Sequence, residues 1–131
     1  MTRAAAVIAV LCALPSVSGA PPETRPVHEV VRTRVPPVVD GRLDEDAWKS
    51  AAPLQLVRNL DGAPSPRKTE AKLLYDDEFL YFAFRVEDDN VWSTYEQRDA
   101  HLWKEEVVEV FVQADPEKPS YLELEVNPKG A

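Results

Sequence analysis

The chain has 131 residues and carries 15 Lys and Arg against 23 Asp and Glu, a formal net charge of −8 at pH 7. Such a surface repels phosphate backbones and anionic lipid headgroups, which argues against a nucleic-acid partner and against electrostatic docking on a membrane. The length predicts a single domain, and the lone cysteine, Cys12, leaves no disulfide to hold it together.

The first twenty residues have the layout of a secretory signal peptide. They combine a cationic start at Arg3, an apolar run over residues 4–14 and a breaker at Pro15. The apolar run is too short to span a bilayer. We therefore expect residues 1–20 to be removed after Ala20, leaving a mature chain that is secreted, to the extracellular space or the periplasm, with no membrane insertion.

Residues 21–36 are predicted to form a leader and a first strand. The proline-rich start reads as an extended leader, and residues 28–35 alternate as a strand does before two prolines end it. A short helix is predicted next, with Asp44 as its N-cap and Trp48 as its apolar anchor. Residues 54–60 are a further strand candidate.

A β-hairpin is the clearest local prediction. Two runs rich in β-formers, Thr69 to Tyr75 and Phe79 to Val86, flank the short connector "DDE". Period-2 alternation gives the second strand one face with Leu80, Phe82, Phe84 and Val86 and an opposite face with Phe79, Tyr81, Ala83 and Arg85.

The stretch "HLWKEEVVEVFV" at residues 101–112 follows an irregular excursion over residues 91–104 that carries Trp92, Tyr95 and Trp103. Its four valines favour a strand over an amphipathic helix, because β-branched side chains pack well on a pleated sheet. Strand parity then puts Glu109 on the same face as Val107 and Phe111. A solvated sheet face is the ordinary explanation for a lone glutamate there.

The last run, "YLELEVNP", alternates along its whole length and is predicted to be a strand. Short strands, frequent turn signals and almost no helix together predict an all-β fold, an antiparallel β-sandwich of immunoglobulin or jelly-roll type. We expect the sequence to end within its domain, truncated on the C-terminal side. The predicted core face of the last strand holds Leu122, Leu124 and Val126, and the outward face holds Tyr121, Glu123, Glu125 and Asn127.

Four segments, "VVDGRLDEDAW", "LLYDDEFLYFAFRVEDD", "LWKEEVVEVFV" and "YLELEVNPKG", occur in an order and spacing that resembles the family 9 carbohydrate-binding modules, within the DOMON-like sandwiches. The resemblance covers residues 37–131. It implies a secreted, non-catalytic module that binds oligo- or polysaccharides, is attached to or partnered with glycoside hydrolases such as xylanases, and in some members holds calcium.

The resemblance also implies a binding pair. Trp103 falls on an aromatic wall of the family's sugar slot, and Glu109 on the carboxylate that binds sugar hydroxyls. A straight strand would separate these side chains by about 20 Å, so Trp103 must lie on a loop that folds back over the sheet. The sequence departs from the family at Glu106, where an aspartate is usual, and the second aromatic wall belongs to the later half of the fold. Trp48 and Trp92 are assigned to packing.

Two weaker sets of candidates remain. Arg85 and Glu125 join the sugar site only if their strands neighbour that of Glu109. The acidic run Glu87, Asp88 and Asp89 offers hard oxygen ligands for a structural calcium ion, against the simpler explanation of a solvated turn.

Other functions have less support. Adjacent glutamates on a strand point to opposite faces and make no glycosidase pair, so catalysis by this chain is not expected. A structural or adhesion sandwich without sugar binding stays open. A haem-binding DOMON-type domain is a further alternative, although one methionine and two histidines offer little axial ligation.

Overall fold

A computed structural model of the chain describes residues 27–131 and the backbone of Arg3–Ala4. Apart from that backbone, the predicted signal peptide and the first residues of the leader lie outside the described residues. No helix within the described part is long and apolar enough to cross a bilayer. The elements are β1 (Arg3–Ala4), β2 (Val31–Arg32), α1 (Asp46–Lys49), β3 (Leu54–Gln55), β4 (Thr69–Tyr75), β5 (Leu80–Val86), the 3-10 helix η1 (Leu102–Lys104), β6 (Val108–Val112) and β7 (Leu122–Val126).

The strands form two sheets. The first has the order β1-β5-β4-β2, with β3 also pairing β4, and the second consists of β6 and β7. Every pairing is antiparallel except that of β2 with β4, which is parallel. The two-sheet architecture confirms the predicted all-β sandwich, with one parallel pair that the alternation of residues did not predict.

The predicted hairpin is present, and Asp76 fixes its turn. β4 and β5 pair along their full length, from Thr69 opposite Val86 to Tyr75 opposite Leu80. One oxygen of Asp76 accepts the backbone N–H groups of residues 78 and 79, each at 2.8 Å, and the other accepts the Tyr81 hydroxyl at 2.7 Å. That hydrogen bond, with burial and the nearby negative charge, raises the pKa of Tyr81 to about 12.

Asp76→Asn should lower the pKa of the Tyr81 phenol toward its usual value of about 10, because a neutral amide no longer opposes the phenolate. The check is a pH titration of the Tyr81 ring carbon by NMR. Asp77→Asn, one residue along and paired with Arg32, is the matched control and should leave Tyr81 unchanged. An unmoved titration in Asp76→Asn would show that this bond does not set the phenol's acidity.

The core lies where α1 covers the first sheet. Trp48, Ala51, Leu74 and Ala83 form its buried cluster, with Val31, Leu43, Ala47 and Tyr81 packed around it. Trp48 is only 4% exposed, which confirms it as the anchor of the helix. Its indole N–H has no hydrogen-bond partner in the described structure. A cavity of about 480 Å³ beside Trp48 is lined by Phe82 and Ala83 of the first sheet and Val126 of the second.

Several predicted elements are shorter than the sequence indicated. The strand expected over residues 28–35 reduces to Val31–Arg32, since the Thr33 hydroxyl donates to the Val35 carbonyl at 2.7 Å and turns the chain locally. The strand over 54–60 reduces to Leu54–Gln55, because Arg58 and Gly62 close a tight loop. The N-cap is Glu45 rather than Asp44, and its side chain makes no capping bond.

Both faces of β5 carry buried side chains: Phe84 is buried on one face, and Ala83 is buried on the other, where it packs in the cluster with Trp48. Three predictions about facing were wrong. Trp92, assigned to packing, is about half exposed. On β7, Leu122 and Leu124 are exposed, although Val110 of β6, which lies opposite Leu124, is buried. Asn127, expected to face away from the core, is only 2% exposed.

Candidate functional site

The second sheet presents one surface on which Glu109 is surrounded by other carboxylates. Glu109 of β6 lies directly opposite Glu125 of β7, and Phe111 lies opposite Glu123. Opposite residues of an antiparallel pair project to the same side of the sheet, and Tyr121 has the parity of Glu123 and Glu125. Carboxylate oxygens of the three glutamates lie within 4.8 Å of one another. We call the surface formed by Glu109, Phe111, Tyr121, Glu123 and Glu125 the glutamate face.

Crowding on this face changes the acidity of Glu109. Partial burial disfavours its charged form, and the neighbouring charges of Glu125 and Glu123 act in the same direction, so the pKa of Glu109 is raised above its usual value. A raised carboxyl pKa means that the folded protein holds this proton more readily than the unfolded chain does. The associated stability is present below the unfolded pKa and is lost as the pH rises through the folded pKa.

Glu109→Gln should therefore raise the melting temperature at pH 7, because it removes a charge that the folded state disfavours. The gain should shrink as the pH falls, since wild-type Glu109 then becomes neutral as well. Melting curves at several pH values check both statements. Glu117→Gln removes an exposed carboxylate from the turn before β7 and should not reproduce the gain. A Gln variant less stable than wild type at pH 7 would mean that the Glu109 charge stabilises the fold.

The glutamate face also carries two aromatic rings. The centroids of Phe111 and Tyr121 are 5.6 Å apart with the rings inclined at 58°, and Tyr121 is 54% exposed. An exposed ring with acceptor oxygens on the same surface can contact the C–H side of a pyranose while the carboxylates accept its hydroxyl protons. Sequence reasoning placed Tyr121 on this side of its strand but did not identify it as a ligand residue, because the pairing of β7 with β6 was unknown.

Trp103 lies on the short helix that precedes β6. η1 packs against β7 through a segment in which Leu102 is buried, while the indole of Trp103 is 56% exposed. The regular strand begins only at Val108. The chain is thus not a straight strand from residue 103 to Glu109.

His101 packs against the indole of Trp103. The two ring centroids are 4.7 Å apart and the rings are inclined at 33°. The sequence did not indicate this contact, because it depends on the turn of η1 rather than on any motif. The imidazole restricts the orientation of the indole, whose remaining surface is open to solvent.

The structure separates the weaker candidates. Glu125 neighbours Glu109 as the prediction required, whereas Arg85 lies in the first sheet opposite Glu70. The strand of Arg85 does not neighbour the strand of Glu109, so Arg85 does not join the glutamate face as the prediction required.

The predicted calcium ligands are a poor fit to an ion. Asp88 already accepts the Arg67 guanidinium at 2.8 Å and the Asn90 backbone N–H at 3.0 Å. A cation at Glu87, Asp88 and Asp89 would have to displace this arginine from the central carboxylate. Calcium binding there stays a prediction, and no functional step depends on it.

Comparison with known proteins identifies the family of the chain. The sequence profile of the carbohydrate family 9 binding domain-like family matches residues 39–128. Exoglucanase XynX of Acetivibrio thermocellus is 32% identical over 90 residues, which cover 66% of this chain and 8% of the exoglucanase. No solved structure matches. A non-catalytic module of the carbohydrate-binding class is thus defined by fold and sequence together. The chain belongs to the carbohydrate family 9 binding domain-like family.

Proposed function

We propose that this chain binds oligo- or polysaccharides on the glutamate face, with Trp103 as an adjoining aromatic wall. The observation that carries the proposal is the union on one sheet surface of acceptor carboxylates and an exposed aromatic ring. Sugars present hydroxyl donors around their rim and C–H groups on their faces, and this surface offers a partner for each. The negative charge suits a neutral glycan and disfavours an anionic one.

Glu109 is the central hydrogen-bonding residue of the proposed site. It is the second residue of β6, with Glu125 opposite it across the sheet and Phe111 next on the same face of its own strand. A carboxylate accepts hydroxyl protons more strongly than a neutral oxygen does. The neighbouring carboxylates that raise the pKa of Glu109 do not donate hydrogen bonds to it, and the hydroxyl groups of a bound sugar can do so.

A calorimetric titration tests the function. Wild-type protein is titrated with xylo-oligosaccharides, cello-oligosaccharides and chito-oligosaccharides at neutral pH. Binding of at least one series supports the proposal. Glu109→Gln should bind it more weakly although it folds, while Glu117→Gln should bind as wild type does. Absence of heat with every glycan, confirmed by affinity electrophoresis in polysaccharide gels, would reject sugar binding.

We further propose that the module is secreted and serves a polysaccharide-degrading system. The tripartite first twenty residues support export, and the exoglucanase relative supports an association with a hydrolase. N-terminal sequencing of the protein from an exported fraction should give a start near Pro21. Recovery of Met1 from that fraction would reject the cleavage.

A further inference from the structure

The carboxylate of Glu105, which directly follows the loop over residues 91–104, is hydrogen-bonded to residues near the start of that loop. The Ser93 hydroxyl donates to it at 3.0 Å, and the backbone N–H groups of Thr94 and Tyr95 donate at 2.6 and 3.4 Å. The Thr94 hydroxyl donates to its second oxygen. One side chain thus gathers four donors from three consecutive residues on the far side of the loop.

Hydrogen bonding keeps Glu105 ionised in this position. Burial raises its pKa, but the bonds from Thr94, Ser93 and Tyr95 outweigh burial, and the net pKa lies below the usual value. The stability that follows from this shift is present above the unfolded pKa and is lost as the pH falls through the folded pKa. At neutral pH the Glu105 carboxylate is therefore ionised.

Asn127 holds the same segment from the other side. Its amide donates to the Ser93 hydroxyl at 2.8 Å and to the Tyr95 carbonyl at 2.9 Å. Its side-chain oxygen accepts the backbone N–H groups of Lys129 and Ala131, each at 3.0 Å. The side chain is buried with its donors and its acceptor all satisfied, which suits a structural connection and leaves nothing for a ligand.

The connection reaches Trp103 through the backbone. Glu105 is the C-cap of η1, and its N–H donates to the Leu102 carbonyl at 3.0 Å. Glu105, which accepts the hydrogen bonds from residues 93–95, therefore follows directly after the turn that carries the Trp103 indole. That turn, η1, packs against β7, and Asn127 is the first residue after β7.

We propose that Glu105 and Asn127 are positioning residues, which hold the Trp103 loop against the second sheet in the geometry that binds sugar. The proposal rests on the proposed function for its effect on affinity, but the restraint on Trp103 can be measured without any sugar. The two residues contact no ligand themselves. They act by keeping most molecules in the binding-competent conformation.

Four variants separate this role from a general effect on folding. Glu105→Ala removes the acceptor. Glu105→Gln keeps one oxygen that accepts the backbone N–H groups, and its amide NH2 can donate a hydrogen bond to the Thr94 hydroxyl oxygen. Asn127→Asp is nearly isosteric and preserves the bonds from Lys129 and Ala131, but it loses both donations to the loop. Glu96→Gln is the matched control, because it removes a carboxylate from the same loop whose ion pair with Lys129 is exposed and therefore contributes little.

Affinity is the first readout. If the competent fraction of the loop falls to about one tenth, the dissociation constant rises about tenfold. We expect that loss in Glu105→Ala and Asn127→Asp, substantial recovery in Glu105→Gln, and wild-type binding in Glu96→Gln. Folded Asn127→Asp and Glu105→Ala proteins that bind as wild type does would overturn the proposal.

The second readout needs no glycan. Protein labelled with 5-fluorotryptophan gives a fluorine resonance for Trp103, assigned with Trp103→Phe. The signal should shift or broaden in Asn127→Asp and Glu105→Ala and stay unchanged in Glu96→Gln. If Glu105→Ala does not fold, Asn127→Asp decides. If wild type binds no glycan, only the proposal of carbohydrate binding is rejected. A Trp103 resonance that does not move in Asn127→Asp would reject the positioning role in either case.

Discussion

Trp103→Ala is expected to weaken oligosaccharide binding about tenfold, since a flat aromatic contact contributes about 0.5–1.5 kcal/mol beyond the area it buries and 1.4 kcal/mol is a factor of ten. The indole is more than half exposed and belongs to no core cluster, so its removal should leave the fold intact. Isothermal titration calorimetry with the best-binding glycan measures the effect, and the melting temperature reports on the fold.

Trp92→Ala is the matched control for this substitution. It removes the same side chain from the same irregular segment, at a site that is 45% exposed and outside the glutamate face. We expect it to bind as wild type does. Equal binding by folded Trp103→Ala would place the sugar elsewhere, and unfolding of Trp103→Ala would make this tryptophan part of the packing.

Trp48→Ala should lower the free energy of unfolding by about 3–5 kcal/mol, the usual cost of removing a large buried aromatic side chain. Trp48 is the largest member of the cluster that joins α1 to β4 and β5, and it lines the cavity beside that cluster. Urea denaturation checks the value. A similar loss in Trp92→Ala, which should cost about 0.5 kcal/mol or less as a surface change, would contradict this account.

Trp48→Phe provides a finer test of the same site. The indole N–H has no hydrogen-bond partner in the described structure, so phenylalanine removes an unsatisfied polar group along with some volume. We expect a smaller loss than in Trp48→Ala. A loss as large as that of alanine would mean that the N–H is satisfied in solution, for instance by a water molecule in the adjoining cavity.

The hairpin and the face of β6 on which Glu109 lies could be predicted because both depend on local patterns. Strand parity needs only the residues of one strand, and the acidic connector marked the turn between β4 and β5. The pairing of β6 with β7 could not be obtained in this way. It is a contact between distant segments, and it decides that Glu125 and Tyr121 join Glu109 while Arg85 does not.

Short elements and side-chain connections were the main failures. β2 and β3 each have two residues, because local bonds at Thr33 and Arg58 turn the chain before the alternating pattern ends. Asn127 was assigned to the outward face by parity. It is buried because it lies just beyond β7, where the chain turns and its amide reaches the loop at Ser93 and Tyr95. Alternation carries no information about such bonds.

The most direct test of the central claim is an NMR titration of isotopically labelled protein with the glycan that binds best. We predict that the largest shifts occur at Trp103, Glu109, Tyr121 and Glu125, with the core around Trp48 unaffected. Shifts concentrated at the tip of the β4–β5 hairpin, with Glu109 and Tyr121 unmoved at saturation, would contradict the assignment of the glutamate face as the sugar-binding surface.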